Sequence, residues 1–351
     1  MRNLKRLFSV LLIFAISFLT IPTMAAENTT TGMKVHFINV GQADSQLIQI
    51  DGKNILIDAG NNDNLAYNYL KSQGITKLDY VIATHPHADH IGGMATVINN
   101  FTVDKFYAPK ATTNTVTFEN MIKALQNKNS KITVPTPGEN LVIGNATLTF
   151  LAPNSATYED LNNYSIVCKL KYGNTSFLFA GDAESLSEGE ILSKQLDISA
   201  NVLKVGHHGS SSSTSQTFLN KVNPQYAVIS VGVGNDYGHP NADTLTRLNN
   251  KGIKTFRTDT QGTIIATSNG QTIAFNTNPI VINTTSKTTN NNVSNVNTTI
   301  VNNQSKTVYK AGSNGKVYHY SSECSNMKNS IPLSLDEAKQ QGLKPCSKCA
   351  S

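Results

Sequence analysis

The sequence predicts an α/β fold. Two patterns carry this reading. Short apolar runs of strand length repeatedly end in a corner bearing glycine, aspartate or histidine, and stretches with helical spacing are interspersed among them rather than gathered in one block. At 351 residues the chain also has room for one large domain with additions.

Val35–Val40 is the first buried strand, and Gly41-Gln42-Ala43-Asp44 turns the chain. Ser45–Ile50 alternates at period two, Asp51-Gly52 is a hairpin signal, and Asn54–Gly60 is a third strand ending at Asp58. Asp58 either faces a site or caps the turn that follows. Leu65–Gln73 is helical and Gly74 stops it. Leu78–Ala83 is a strand that runs straight into Thr84-His85-Pro86-His87-Ala88-Asp89-His90-Ile91-Gly92-Gly93.

That stretch organises the chain. Three of its eight histidines fall within six residues, beside an aspartate. Neutral imidazole and carboxylate are ligands for zinc and related divalent ions. Four ligands are too many for one catalytic ion that keeps an open position, so the cluster reads as two half-sites. His85 and His87 serve one, and Asp89 and His90 the other.

Met94–Asn99 opens a helix, Phe101–Pro109 is a strand region, and Phe118–Gln126 is a helix with Phe118, Met121, Ile122 and Leu125 on one face. Lys131–Val134, Leu141–Ile143, Ala146–Leu151, Ser165–Leu170 and Ser176–Ala180 are strands. The last ends in Gly181-Asp182. Asp182 either bridges two ions through its two oxygens or caps a helix near Ser185–Leu196. Asn201–Val205 runs into a second histidine corner, Gly206-His207-His208-Gly209-Ser210. One of this pair could complete the second metal site and the other contact substrate. Tyr226–Val231 leads to His239 in a turn, Asp243–Asn250 is a helix, and Ile253–Phe256 and Thr263–Thr267 close the domain.

Arg2, Lys5 and Arg6 precede the apolar run Leu7–Leu19, then Pro22 and Ala25-Ala26. This is the layout of a secretory signal peptide over residues 1–26, and the run is shorter than the about 20 residues of a membrane span. An uncleaved anchor is the competing reading. A secreted, extracellular protein without stable membrane insertion is expected. The formal charge of +6 falls to about +3 without those three residues, too small to argue by itself for a polyanionic partner.

Residues 277–306, mostly Asn and Thr, read as a disordered linker. The tail, 307–351, holds His319, Cys324 and the Cys346-x-x-Cys349 pair, a Cys₃His set suited to one structural zinc. A disulfide is the rival, poorly served by an odd count of three cysteines. A helix over Ser334–Gln341 is expected, with Ser334 and Glu337 as a capping box. The module's partner, nucleic acid or cell wall, is left open.

With these motifs in hand, the chain resembles the metallo-β-lactamase fold superfamily over roughly 33–276. It is most similar to the hydrolase domain of ComEC-type competence DNA-uptake proteins. The carriers are the His85–His90 cluster, Phe37–Ser45, Asn163–Val167, Ala180-Gly181-Asp182, Leu203–Ser210 and Tyr237–Pro240. The tail resembles small Ada-like metal-binding modules. The resemblance implies a four-layer αββα sandwich and two divalent ions, zinc or else manganese. His85, His87 and Asp182 would hold the first. Asp89, His90, Asp182 and one of the 207–208 pair, His207 being preferred, would hold the second. Asp58, Asp44, Asn163 and Ser165 would support them. Asp89, His208 and His239 would contact the reaction, with His208 or His239 stabilising charge or protonating the leaving group.

Two departures stand out. No histidine lies between His90 and His207 to give the first ion a further ligand, so that ion should be the looser one. Histidine at position 87 replaces the aspartate frequent in ComEC-type domains, which favours zinc. The implied activity is phosphodiester hydrolysis, with extracellular DNA as substrate. A small or cell-surface phosphodiester, of phosphocholine or teichoic-acid type, is the alternative, as is a polymer-binding protein without turnover. An aspartate at the bridging position makes β-lactam hydrolysis the poorer fit.

Overall fold

The structure is a computed structural model that describes residues 32–282, 307–312, 315–319, 330–334, 338 and 342–346. The described residues form two compact units, one ending at 282 and one beginning at 307.

In the first unit, one sheet contains β1 (Met33–Phe37), β2 (Gln46–Ile50), β3 (Lys53–Ile57), β4 (Lys77–Ile82), β5 (Thr102–Tyr107) and β6 (Ile132–Thr133). A second contains β7 (Asn140–Ile143), β8 (Ala146–Ala152), β9 (Val167–Tyr172), β10 (Thr175–Phe179), β11 (Val202–Lys204), β12 (Tyr226–Ile229) and β13 (Lys254–Arg257). The chain then returns to the first sheet as β14 (Ile264–Ser268) and β15 (Ile273–Phe275). The strand orders are β15-β14-β1-β2-β3-β4-β5-β6 and β13-β12-β11-β10-β9-β8-β7.

Each sheet changes character midway. β1, β2 and β3 pair antiparallel, whereas β3, β4 and β5 run parallel. Likewise β8, β9 and β10 are antiparallel, and β10 to β13 parallel. The antiparallel pairs are joined by the two-residue turns their sequences announce. Asp51-Gly52 and Gly173-Asn174 close the β2–β3 and β9–β10 hairpins, with positive φ at Asp51, Gly52 and Gly173.

The period-two pattern sorts side chains between layers. Val35, Phe37, Ile55 and Ile57 of the first sheet meet Phe150, Cys168, Phe177 and Phe179 of the second in a fully buried centre. Leu47, Leu56 and Val81 point the other way, against α1 (Leu65–Ser72), α3 (Met94–Asn100) and α4 (Val116–Asn127). Leu178, Leu203 and Ile229 do the same for the second sheet, against α5 (Ser185–Ser193), α6 (Gln216–Val222) and α7 (Ala242–Asn250). The result is the expected four-layer αββα sandwich. Elements absent from the sequence reading are short: α2 (Ala88–Ile91), α6, α8 (Thr258–Gln261) and β15. Segments of three to seven residues show too little periodicity to be recognised.

The segment expected to open the linker still belongs to the domain. Gln261 Nε2 donates to the Asn278 carbonyl, and the Ile280 N–H donates to the Thr255 carbonyl. The remainder of that linker, the expected signal peptide (1–26), Cys324 and Cys349 lie outside the described residues. Among the described residues no helix is long and apolar enough to cross a membrane.

The second unit is a small sheet of order β18-β16-β17-β19, formed by β16 (Thr307–Ala311), β17 (Val317–His319), β18 (Ser330–Ser334) and β19 (Lys344–Pro345). Ser334 ends a strand here, and Ala338 is helical; the rest of the expected 334–341 helix lies outside the described residues. His319 and Cys346 are both buried, and Cys346 donates its N–H to the Tyr318 carbonyl. Of the expected zinc ligands, His319 ends β17 and Cys346 follows β19, which pairs with β17 in parallel.

Candidate metal centre

The functional side chains emerge beyond the C-terminal ends of the parallel strands. Open α/β sheets place ligands at such ends, where the topology switches. β3 delivers Asp58 and β4 delivers His85 to His90. Opposite them, β10 delivers Asp182 and β11 the 207–208 pair.

Asp182 is the hub. Its Oδ2 lies 3.2 Å from His90 Nε2, 3.6 Å from His208 Nε2, 3.7 Å from His207 Nε2 and 4.0 Å from His85 Nε2. It caps no helix, since the residue preceding α5 is Glu184. Gly181 before it has φ +52°, and a Cβ there would press on Ser165 and Thr84 at 3.1–3.2 Å. Glycine adopts that left-handed turn without the strain a side chain would add.

Two groups of donors converge among the described residues. Asp89, His90, Asp182 and His208 keep their ligand atoms within 4.8 Å of one another, as do Asp44, Asp58 and His90. His85 Nε2 and His87 Nδ1 stand 3.0 Å apart beside the first group. The four-membered set joins Asp89, His90 and Asp182, expected at the second half-site, to His208, where the sequence reading preferred His207. His208 Nδ1 donates to the Ser230 carbonyl at the end of β12 (3.0 Å), which aims Nε2 at Asp89 Oδ2 (3.1 Å). His207 turns its Nε2 to Asp182 Oδ2 as well, 3.7 Å away, with its Nδ1 3.4 Å from Glu184 Oε1. His239 stands next to both, its ring 5.5 Å from His207 and 6.3 Å from His208.

Several contacts fix the rings. Asp58, fully buried and at φ +55°, caps no turn with its side chain. It accepts from Thr84 N (2.8 Å), Thr84 Oγ1 (2.7 Å) and His90 Nδ1 (2.8 Å). With its single proton given to Asp58, the Thr84 hydroxyl accepts from His85 Nδ1 at 3.1 Å. In His85, His90 and His208 the Nδ1 is thus held by a protein oxygen, which turns each Nε2 toward the cluster. Metal-ligating histidines need this arrangement. Ser165 Oγ accepts from Asp182 N (3.0 Å) and lies 3.3 Å from His85 Nδ1. Asn163 supports Glu184 and the start of α5, donating to Glu184 Oε2 (3.4 Å) and accepting from Ser187 N (3.2 Å).

Electrostatics fit a cation. His90 Nε2 and Asp182 Oδ1 are buried with no hydrogen-bond partner. Burial opposes charge on Asp182, but His90 and His208 outweigh it and hold its pKa well below the carboxylate range. Burial likewise disfavours a charged His90, yet Asp182, Asp58 and Asp89 push its pKa well above the usual value. Burial lowers His85, assisted by His90. Burial, with His207 and His208 nearby, takes His239 down to about 4. Buried carboxylates and imidazoles at this density, with unpartnered atoms aimed inward, form a donor set for a divalent ion.

The histidine corner is strained. His207 and His208 both adopt left-handed backbone, φ 47° and 52°. Such conformations cost energy in non-glycine residues and persist where the surroundings over-determine them. The surroundings here include residues the sequence did not disclose. Glu184 accepts from Ser212 Oγ (2.8 Å) and lies against His207, which lowers its pKa. Glu188, 1 % exposed, accepts from the backbone N–H of Thr214 and Ser215. Lys204, also 1 % exposed, pairs with Asp44 Oδ2 at 2.7 Å, while Asp44 Oδ1 stands 3.6 Å from His208 Nδ1.

Fold and site together define a metallo-β-lactamase-type metal centre. The profile of the Metallo-beta-lactamase superfamily matches residues 38–233, and the chain belongs to that superfamily. Its relatives include ComE operon protein 3 of Bacillus subtilis, 30% identical over 251 residues that cover 66% of this chain and 32% of that protein. Competence protein ComA of Neisseria gonorrhoeae is 28% identical over 230 residues, covering 64% and 31%. Recombination protein 2 of Haemophilus influenzae is 30% identical over 222 residues, covering 61% and 26%. The match thus spans no more than about a third of these relatives, in keeping with a ComEC-type hydrolase domain. Among solved structures, the metallo-beta-lactamase fold protein YhfI from Bacillus subtilis superposes with a TM-score of 0.44 at 16% identity, covering 61% of this chain and 92% of that one.

Proposed function

We propose that the chain is an exported phosphodiesterase that cleaves DNA at a centre of two divalent ions. The observation that carries this reading is the position of Asp182, one carboxylate facing four imidazoles from both sheets. Asp89, His90, Asp182 and His208 would hold one ion, and His85, His87 and Asp182 the other. Bound ions, zinc or manganese, would polarise a phosphoryl oxygen and clamp the entering and leaving oxygens of an in-line displacement.

The chain's own residues do the rest. Asp58 and Thr84 fix the rings of His90 and His85. Glu184 orients His207, whose Nε2 faces the cluster and would contact a leaving oxygen, a role the sequence reading gave to His208 or His239. His239 adds an imidazole on the same side. The competence relatives support DNA as the substrate class. Export would follow from the N-terminal segment, and His319, Cys324, Cys346 and Cys349 would hold a structural zinc.

The test is incubation of the metal-loaded protein with plasmid, single-stranded DNA and bis-p-nitrophenyl phosphate. Cleavage of DNA that is lost on His87→Ala supports the reading. Turnover of the small diester with no cut in any DNA would transfer the reading to small or cell-surface phosphodiesters. Binding of DNA without turnover would make the domain a polymer-binding module. N-terminal sequencing of the secreted form should find a start after Ala25 or Ala26. Zinc analysis of the full chain with and without Cys346→Ser addresses the tail.

A further inference from the structure

A cavity of about 400 Å³ opens beside His85. Pro86 and His85 form one side, Phe118 and Met121 of α4 another, and Ile132 and Val134 stand at its lip. We propose that this cavity seats the face of one unpaired nucleobase next to the phosphate handled at the metal centre. The proposal rests on the DNA reading above and narrows it to single-stranded or locally opened DNA.

Three observations carry it. The first is continuity. His85 lines the cavity and also turns its Nε2 toward Asp182, 4.0 Å away. A group attached to a phosphate at the centre therefore lies within one side chain of the cavity.

The second is chemistry. Apart from His85, only Lys110 and Thr112 bring polar side chains to the lining. A base has apolar planar faces and polar edges, and reading an edge takes several placed donors and acceptors. A lining of this kind takes a base by its face and discriminates little between sequences. The exposed Lys110 offers the counter-charge a neighbouring phosphate needs.

The third is exposure. Ile132 and Val134 are 38% and 48% exposed. Neither belongs to a core cluster, so packing within the domain does not account for apolar side chains at this lip. A base in a duplex is stacked and paired, and it reaches such a cavity only after leaving the stack. Strands already single, or frayed, should therefore be preferred.

The first test measures binding without metal. The full chain is stripped with chelator, and fluorescence anisotropy compares a labelled single strand, the same strand with consecutive abasic sites, and its duplex. The expected order is a single strand bound about tenfold more tightly than either other form. Val134→Asn, an uncharged polar change at a half-exposed position, should remove that advantage while leaving abasic binding unchanged. Equal affinity for normal and abasic strands in the wild type would overturn the proposal, whatever the variant's folding. So would a Val134→Asn loss shared by both strands. Cleavage with manganese or zinc then separates the two levels. Wild-type protein that cuts no DNA ends the DNA reading and this proposal with it. DNA cleavage indifferent to base removal ends the base-seating proposal alone.

Discussion

Lys204→Met should unsettle the protein more than any surface lysine change, because it strands a buried carboxylate. Lys204 and Asp44 are each about 1 % exposed and 2.7 Å apart. Neither Asp44 oxygen has an aligned hydrogen bond, so the carboxylate relies on the ammonium charge rather than on a directed donor. The gross attraction at that distance is roughly 6 kcal/mol for an effective dielectric of about 20. Most of it offsets the cost of desolvating both ions. Removing one partner forfeits the attraction and leaves the other's desolvation uncompensated, a loss of about 3–5 kcal/mol. Methionine retains most of the lysine stem, so little of this loss is cavity formation. In a domain of this size the melting temperature should fall by about 6–20 °C. The assay is thermal and urea unfolding of wild type, Lys204→Met, Asp44→Asn and the double variant. The double variant should be more stable than the sum of the single losses predicts. A Lys204→Met loss below about 1 kcal/mol, or additive losses, would refute the reasoning.

The other predictions concern groups that hold the site or report on burial. Asp58→Asn cannot accept three hydrogen bonds as the carboxylate does; metal affinity by chelator competition should drop about 10–100-fold, and unchanged affinity would contradict its orienting role. Glu188→Gln forfeits one of two backbone anchors on the loop after the histidine corner, at about 1–3 kcal/mol. Faster hydrogen exchange at Thr214 or Ser215 is the check. His36 is buried against Tyr69, and burial takes its pKa from 6.5 to about 4. The unfolded chain therefore takes up a proton that the folded state refuses. This contribution, about 1–3 kcal/mol, is whole above pH 6.5 and lost as pH falls through 6.5 toward 4. His36→Gln should flatten that part of the stability–pH curve, measured by urea unfolding.

Much of the site was legible because its chemistry is compressed into strand-end corners. A strand that ends in His85-Pro86-His87-Ala88-Asp89-His90 brings metal-ligand side chains out at one corner, and Gly181-Asp182 repeats the logic on the second sheet. The different surroundings of His207 and His208 were not legible. Adjacent residues on a left-handed corner diverge by backbone angles that no side-chain pattern encodes, and the acceptor for His208 Nδ1, the Ser230 carbonyl, follows a distant strand. Lys204, Glu184 and Glu188 were hidden for a different reason. A single charged residue in a strand or helix reads as facing water, and only the assembled fold reveals a partner from a distant segment. The cavity beside His85 was hidden likewise, since it joins residues from three separate stretches.

The return of β14 and β15 to the first sheet has a consequence for how the chain is made. β1 pairs with β2 on one side and with β14, more than two hundred residues later, on the other. Until that late strand emerges from the ribosome, β1 offers an open edge whose Met33, Val35 and Phe37 are destined for full burial. Open apolar edges recruit strands from other chains, and closing a loop of that length is slow. Fragments that stop before Ile264 should therefore precipitate even though every metal-facing residue is present in them.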